Sequence, residues 1–523
     1  MVNFSAPSRQ LRLVILLLSV LFVLCFDAMW TGKRYPYAAD SSSYIEMADS
    51  LYHQGQPLVT PWDFSEGSAE QMPQKLFPPG YPVLVAAFIP FTGVARTAAL
   101  VPPRLAAMLL PLLVLALFAG VMPARSLALF ALYTLLTSGV RGWQFMAYSD
   151  VPALALSVLA LGALARGLGL VATARRPLAW CVLAGLAAGS AYTVRNAGIA
   201  VLAITVVMLA ESLWRRAAWR EALAVVVGAA APLTALIAYN LAAFGQWQPY
   251  AMPPSTRPWT VNVMDWARAT FTDLGMPWQV AEPLPHWVAP IVMVGVLCTL
   301  AVAFFRLSSD PKRRALLLLL GGYAAGGALL LVVSRSRYEW GNTIDERNTL
   351  QYTWALVFAL LLAVPVVFDL KIVQGLRRAG LVFFAFVAAL SVHDAWVVGM
   401  APAEWWQVLA ADTQVINAAV GPRGTLMASN QAVLFRIGAA APVRNFEIGG
   451  TDTELHAALQ VVQHEASGRP AKLLLVCDQY TRGYSICGGA PVTGKPLPAC
   501  ALVRTLSPRV AVCPIDAREA SFP

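Results

Sequence analysis

The chain has 523 residues, of which 58% are hydrophobic and only 13% are charged. Soluble chains average about 25% charged residues. This composition excludes a soluble globule, because the apolar residues occur in long runs that need a bilayer as their solvent. The formal charge of +10 does not indicate a nucleic-acid partner, since the basic residues form short clusters between the apolar runs and mark membrane topology.

About eleven runs are long and apolar enough to cross a bilayer as helices. Membrane barrels alternate apolar and polar residues, and these runs do not, so the sequence predicts an all-α polytopic membrane domain. The first run lacks a small-residue cleavage site after it, which predicts a retained anchor. The predicted spans are 12–30, 99–121, 126–141, 151–166, 178–193, 197–213, 221–243, 287–305, 315–333, 350–368 and 380–399.

One further apolar segment, residues 80–91, is bounded by prolines and is short for a span. If it crossed the membrane, the basic clusters near Arg125, Arg175 and Arg313 would fall on different sides. The sequence therefore predicts a re-entrant or interfacial helix here.

Lys and Arg in the short connections set the expected orientation. With a cytoplasmic amino terminus, every predicted inside loop is basic, and an odd number of spans leaves residues 400–523 outside. We expect a multi-pass protein of the bacterial inner membrane, with a transmembrane domain at 1–399 and a periplasmic domain at 400–523. The inside loops contain Arg125, Arg166, Arg175, Arg176, Arg215, Arg216, Arg220, Arg306, Lys312, Arg313, Arg314, Lys371, Arg377 and Arg378.

The tail after residue 400 is predicted to be a small α/β domain. Residues 425–428 and 472–477 are short apolar stretches suited to buried strands, and residues 453–465 have helical spacing. The tail lacks a recognisable set of nucleophile, base and orienting residue.

Four of the seven cysteines lie in this tail. On the oxidising side of a membrane they predict one or two disulfides, and the sequence leaves their connectivity open. A zinc site is the competing interpretation, but there is no Cys-x-x-Cys pair to support it. The tail cysteines are Cys477, Cys487, Cys500 and Cys513.

The first outer loop, residues 31–79, is long for a connection and rich in polar residues. Asp40 stands at the start of a segment with helical spacing, where a carboxylate is an ordinary helix cap. Local sequence alone favours that structural role for Asp40.

Several elements of this loop resemble a known family: Asp40-x-x-x-Tyr44-x-Glu46, then Gly55-Gln56-Pro57, then Phe77-Pro78-Pro79-Gly80-Tyr81-Pro82. They resemble the polyprenyl-phosphate-sugar-dependent type C glycosyltransferases, nearest to the lipid A aminoarabinose transferases and the bacterial protein O-mannosyltransferase-like branch. In that family an acidic residue just after the first span is the catalytic carboxylate. The resemblance implies that Asp40 is catalytic, and it assigns Tyr44, Glu46, Pro79 and Tyr81 to a substrate loop.

Downstream segments extend the resemblance. Asp150, in Tyr148-Ser149-Asp150-Val151-Pro152, resembles the second acidic loop of the family and is a second catalytic candidate. Arg195 and Arg347 resemble the basic positions that meet the donor phosphate. The aminoarabinose enzymes have a lysine where this chain has Phe77, so the displaced Lys75 is a further phosphate-binding candidate. The resemblance implies the enzyme class and not the aminoarabinose substrate.

The implied activity is transfer of a sugar from a polyprenyl-phosphate donor to a lipid, glycan or protein acceptor of the cell envelope, at the outer membrane face. An aspartate would serve as general base, and arginines would stabilise the departing phosphate. No cofactor and no metal site is predicted; Asp40 and Asp150 could hold a divalent ion, but acids alone are weak evidence. Specificity is expected in outer loops such as 244–286.

Two other classes stay open. A transporter or flippase of lipid-linked sugars would place ionisable residues near the middle of its spans, where this chain has few. A non-catalytic envelope assembly protein would not need Asp40. Outer arginines also have a second interpretation, because Arg141, Arg335 and Arg337 could extend to lipid headgroups as interfacial anchors.

The predicted orientation is tested with topology reporters. A reporter fused after residue 400 is expected to be active only outside the cytoplasm, and one placed at Arg313 only inside it. Reporter activity with the opposite pattern would contradict the orientation.

The predicted disulfide is tested by mass spectrometry of protein from native envelopes, with and without reduction. At least one disulfide is expected among the four tail cysteines. Four free thiols would contradict the placement of the tail in an oxidising compartment.

Overall fold

A computed structural model describes residues 7–30, 39–60, 71–171, 175–216, 218–249, 252, 254–274, 285, 287–339 and 343–400, with five strands and a few further residues beyond them. Up to residue 400 the described segments are almost entirely helical, which confirms the all-α polytopic domain. The helices are α1 Arg9–Trp30, α2 Ala39–Gln54, α3 Gly80–Thr92, α4 Ala95–Ala98, α5 Val101–Leu117, α6 Ala124–Leu136, α7 Ser138–Trp143, α8 Asp150–Gly167, α9 Pro177–Val194, α10 Ile199–Arg216, α11 Trp219–Phe244, α12 Trp259–Asp273, α13 Val288–Arg306, α14 Pro311–Arg337, α15 Glu346–Val367 and α16 Leu370–Met400.

Ten helices among the described residues are long and apolar enough to cross a membrane. The eleventh expected run, 126–141, forms α6 and α7 instead. The chain leaves the helical conformation at Thr137, whose hydroxyl accepts a hydrogen bond from the backbone N–H of Val140 and so caps α7. With 13 residues, α6 is about 20 Å long, and α7 continues the same run as far as Trp143, so the two helices together occupy the predicted segment.

The predicted short helix at 80–91 is present as α3, with 13 residues. It begins directly after Pro78 and Pro79, because prolines are favoured at the boundary of a helix. Its length agrees with the expectation that it is too short for a span.

The chain divides into two compact units. The first comprises Met1–Trp30, Lys75–Leu84 and Leu100–Gly399, and the second comprises Thr31–Gln74, Val85–Ala99 and Met400–Pro523. The first unit contains most of the apolar helices and their shared core.

The core of the first unit is built around α8. Of the apolar window of α8, 78% is buried, compared with 12% in α16. Beside α8 lies an aromatic cluster in which Phe118 packs edge to face on Phe358 with ring centroids 5.0 Å apart. Because α8 is enclosed by other helices, a side chain at its end is held by protein and not by lipid.

Small residues bring α9 and α11 into direct backbone contact. A Cβ added at Gly185 would collide with the carbonyl of Val225, and one at Gly228 would collide with the carbonyl of Val182. Helices in a bilayer associate through such close packing, because apolar burial gives little driving force there.

Two basic residues of the predicted inside loops also satisfy the ends of neighbouring helices. The Nε of Arg166 donates to the carbonyl of Leu117 at 2.9 Å, and a terminal nitrogen of Arg306 donates to the carbonyl of Val367 at 2.9 Å. These carbonyls belong to the last turns of α5 and α15. Carbonyls at that position lack intrahelical partners and carry partial negative charge.

The second unit contains α2, a short antiparallel pair and a five-stranded sheet. The pair is β1 Leu58–Val59 with β2 Met72–Pro73. The sheet has the order β4-β3-β5-β7-β6, in which β3 lies parallel to β4 and β5, and β7 lies antiparallel to β5 and β6. Its strands are β3 Thr425–Ser429, β4 Val443–Asn445, β5 Lys472–Asp478, β6 Arg504–Thr505 and β7 Val510–Asp516.

Strands β3 and β5 confirm the two predicted strands of the tail. The predicted helix at 453–465, Cys487 and Cys500 lie outside the described residues. In the register of β5 and β7, Cys477 is opposite Ala511 and Cys513 is opposite Leu475. The disulfide stays a prediction.

Candidate functional site

A buried carboxylate lies between two arginines in the first unit. The Oδ1 of Asp150 is 2.9 Å from a terminal nitrogen of Arg195, and its Oδ2 accepts a hydrogen bond from the Nε of Arg347 at 3.1 Å. The Asp150 side chain is fully buried, whereas both arginine side chains remain 17% exposed. The structure thus brings together three residues that the sequence singled out separately.

Asp150 is positioned by the amino terminus of α8, the most enclosed of the membrane helices. It is the first residue of that helix, where the helix dipole stabilises a carboxylate. Pro152 follows in the first turn, where the lack of a backbone N–H costs nothing. The same short segment therefore places the charge and begins the helix.

Arg347 is positioned by the first turn of α15. Asp345 and Asn348 form a capping box, in which each side chain accepts from the backbone N–H of the other residue. The guanidinium lies over the ring of Tyr148, 4.0 Å from its centroid, and 5.5 Å from the centroid of Trp143. The cap and the two rings hold the guanidinium in place against Asp150.

Arg195 lies where α9 ends and the chain turns into α10. Its backbone is extended, and its side chain also reaches the hydroxyl of Ser149 at 3.5 Å. The adjoining backbone of Thr193 and Val194 is packed against Gly80, at which a Cβ would collide with the Thr193 carbonyl. The glycine of the Pro-Pro-Gly-Tyr element is therefore required for this close approach.

Asp150 is a direct carboxylate partner of both guanidinium groups, and the carboxyl of Asp345 also lies within electrostatic range of Asp150 and Arg347. Burial, together with repulsion from Glu346, raises the pKa of Asp345 to about 6. Arg347 lowers that pKa in turn, and ionised Asp345 caps the positive end of α15.

Asp40, Tyr44 and Glu46, from the predicted first outer loop, lie in the second unit. Asp40 is in the first turn of α2, is partly buried, and has partners of its own. The Tyr44 side chain is buried, and the carboxylate of Glu46 accepts from the backbone N–H of Thr60 at 2.8 Å. Glu46 therefore ties the segment at Thr60 to α2.

The remaining candidates lie in the first unit, next to the start of α3. Tyr81 is fully buried, Pro79 is partly buried, and Lys75 is exposed. Among the described residues, no group of three or more His, Cys, Asp and Glu side chains is arranged to hold a metal.

Two arginines interpreted as possible lipid anchors are buried in the protein. Arg141 is 7% exposed and donates to the hydroxyl of Ser391 at 2.8 Å. Arg335 is 2% exposed and pairs with Glu339 at 2.8 Å. The anchor interpretation is therefore wrong for both residues, because helix packing and polar partners enclose them.

The aromatic partners of Arg347 were not predicted from the sequence. Tyr148 enters the sequence analysis only as part of the segment that contains Asp150, and Trp143 stands seven residues before that aspartate. Both rings are close in sequence to Asp150, and this closeness was the available signal. Only the packing of α7 against α15 places them next to Arg347.

Solved structures of other proteins have a similar architecture. The chain superposes on the crystal structure of ArnT from Cupriavidus metallidurans bound to undecaprenyl phosphate with a TM-score of 0.59 and 15% identity, covering 96% of this chain and 97% of that one. The apo structure of the same protein gives a TM-score of 0.57 and 14% identity, with 98% and 99% coverage.

The fold is that of the type C glycosyltransferases. The arabinofuranosyltransferase AftD from Mycobacteria also matches, with a TM-score of 0.50 and 17% identity over 92% of this chain and 36% of that one. No protein-family model matches the sequence, and no curated protein matches it. The likeness to these structures therefore establishes the fold.

The central role of Asp150 can be tested by Asp150→Asn, which keeps the shape and removes the charge. Two partly buried guanidinium groups would lose their counter-charge, so we expect a loss of stability of about 3 kcal/mol. Thermal unfolding in detergent measures it. The control is Glu211→Gln, which breaks an exposed pair with Arg215 and is expected to cost less than about 0.5 kcal/mol. Equal unfolding midpoints for both variants would contradict the role of Asp150.

Proposed function

We propose that this protein transfers a sugar from a polyprenyl-phosphate donor to a lipid, glycan or protein acceptor at the outer face of the bacterial inner membrane. The observation that carries the proposal is the pair of guanidinium groups held by buried Asp150. The type C fold adds support, because the ArnT structure with that fold holds undecaprenyl phosphate.

The two arginines suit a lipid phosphate for a physical reason. Guanidinium groups form directional, charge-assisted hydrogen bonds to phosphate oxygens, and these bonds are strongest where water is scarce. Arg195 and Arg347 are mostly buried but retain exposed surface through which a phosphate can be reached. Lys75, which is exposed in the same unit, is proposed as an additional contact for the phosphate.

Asp150 is assigned a positioning role in this proposal. Both carboxylate oxygens already contact arginines, so Asp150 orients the two cations and keeps them from repelling one another. Its Oδ1 contact with Arg195 is an ion pair without hydrogen-bond geometry.

Asp40 is proposed as the general base. The acceptor hydroxyl attacks the anomeric carbon while Asp40 takes its proton, and the bond from that carbon to the phosphate oxygen breaks. The phosphate leaves with one additional negative charge, which Arg195 and Arg347 stabilise. No redox partner is needed, because the proton and the leaving group account for all charges.

The catalytic role is tested by Asp40→Asn. The variant retains size and much of the capping capacity, so a structural Asp40 would tolerate it at a cost of about 1 kcal/mol or less. We expect normal donor binding and transfer at least about a hundredfold slower, because a general base contributes about 10²–10⁴ in rate. Transfer is measured with saturating donor and acceptor.

The control for this experiment is Asp49→Asn. Asp49 is on the same helix, and its side chain is 56% exposed, so transfer by this variant should match the wild type. Arg195→Ala should weaken donor binding as well as turnover. Near-wild-type transfer by Asp40→Asn would return Asp40 to the role of a helix cap.

A further inference from the structure

Helix α12 buries a stripe of polar side chains. Asn262, Trp266, Thr270 and Asp273 are spaced at intervals of four, four and three residues, which places them on one helical face. Asn262, Thr270 and Asp273 are fully buried. Within the described part of the chain, each of the four has a buried polar atom that makes no hydrogen bond: Asn262 Oδ1, Trp266 Nε1, Thr270 Oγ1 and Asp273 Oδ2.

Val261 and Met264, on the opposite face of α12, are exposed. A helix of a soluble protein turns such residues inward and its polar residues outward. In α12 the polar stripe is instead turned into the protein.

The buried face packs on α14 and α15. The amide nitrogen of Asn262 donates to the hydroxyl of Ser336 on α14 at 2.9 Å. Asp273 hydrogen-bonds the side chain of Thr353 on α15, and its Oδ1 accepts from the backbone N–H of Gly139 at 2.7 Å. We call this face of α12, with Tyr352 of α15, the α12 seam.

One end of the α12 seam lies beside the first turn of α15. A Cβ at Gly139 would collide with Asp273 Oδ1 and lie 3.0 Å from the backbone carbonyl oxygen of Glu346, and Glu346 directly precedes Arg347. The hydroxyl of Tyr352 is buried, makes no hydrogen bond to any described residue, and interacts electrostatically with Asp273. The Asp273 end of the seam therefore lies beside the first turn of α15, the turn that carries Arg347.

The unpaired atoms have an energetic consequence. Each buried polar group without a hydrogen bond has lost its hydration without compensation, so several of them along one face destabilise the contact between α12 and α15. The burial of Asp273 raises its pKa to about 7, against the opposing effect of the hydrogen bonds from Thr353 and Gly139. Partners that both donate and accept would relieve the cost along the whole seam.

We propose that the α12 seam is the binding site for the sugar of the lipid donor, and that α12 separates from α15 to admit it. The inference rests on the proposed function, because the arginine cluster must hold the donor phosphate. Sugar hydroxyls both donate and accept, which matches the mixture of indole N–H, hydroxyl, amide oxygen and carboxylate in the seam. The ring of Trp266 also offers an apolar surface for the C–H face of a sugar.

The test uses Thr270→Val, which keeps the side-chain shape and removes the hydroxyl. The full-length protein in nanodiscs is titrated with bare undecaprenyl phosphate and with undecaprenyl phosphate carrying glucose, mannose, galactose or arabinose. We expect the wild type to bind at least one sugar-bearing lipid more tightly than the bare lipid. Thr270→Val should bind that lipid about tenfold more weakly, bind the bare lipid unchanged, and unfold at the same temperature or higher.

The matched control is Thr272→Val, two residues away on α12. Its hydroxyl already donates to the carbonyl of Arg268 at 3.0 Å, so both affinities should stay at the wild-type values. Trp266→Phe is a second seam variant, which removes the indole N–H and keeps an aromatic ring. It should reproduce the selective loss seen with Thr270→Val.

The outcomes separate the two proposals. If bare undecaprenyl phosphate binds and Arg195→Ala weakens it, the phosphate site stands. The seam alone is then overturned by either of two results. One is wild-type affinity of both seam variants for the sugar-bearing lipid. The other is a wild-type protein that binds no sugar-bearing lipid more tightly than the bare lipid. Failure of the wild type to bind undecaprenyl phosphate in any form would overturn the proposed function itself.

Discussion

The ion pairs of Asp150 with Arg195 and Arg347 are the interaction on which the organisation of the first unit depends. Three helices, α8, α9 and α15, end or begin at this cluster. A carboxylate buried at a membrane-helix end is tolerated only when cations and the helix dipole compensate it. The arginines in turn could not approach one another without Asp150. The enclosure of α8 supplies the low-dielectric setting in which these charges interact strongly.

Several structural features away from the cluster serve to fix its geometry. The capping box of α15 and the rings of Trp143 and Tyr148 hold Arg347. The close contact of Gly80 with Thr193 determines where the chain leaves α9, and therefore where Arg195 stands. A site that must bind a charged phosphate without large rearrangement benefits from such fixed dipoles and cations. The α12 seam differs from this rigid cluster, because five of its buried polar atoms make no hydrogen bond within the described part of the chain.

The sequence predicted some elements well because their signals are local. Ten of the predicted spans and the short helix α3 follow from the length and hydropathy of continuous segments. The run 126–141 was predicted as one span but forms two helices, because Thr137 caps a new helix within the apolar segment. Hydropathy does not indicate such a cap. Arg141 and Arg335 were misassigned for a related reason: a basic residue at a span end can face lipid headgroups or a buried polar partner, and only packing distinguishes the two.

By itself, the sequence determined that the chain is a polytopic α-helical membrane protein, because hydrocarbon demands long apolar helices whatever their neighbours. It also singled out Asp150, Arg195 and Arg347, although only as separate resemblances. The tertiary structure decided that Arg347 meets Asp150 across 197 residues of sequence, and that the polar face of α12 is turned inward. Such pairings depend on which helices pack together, and helix packing is set by complementary surfaces of distant segments that no local pattern records.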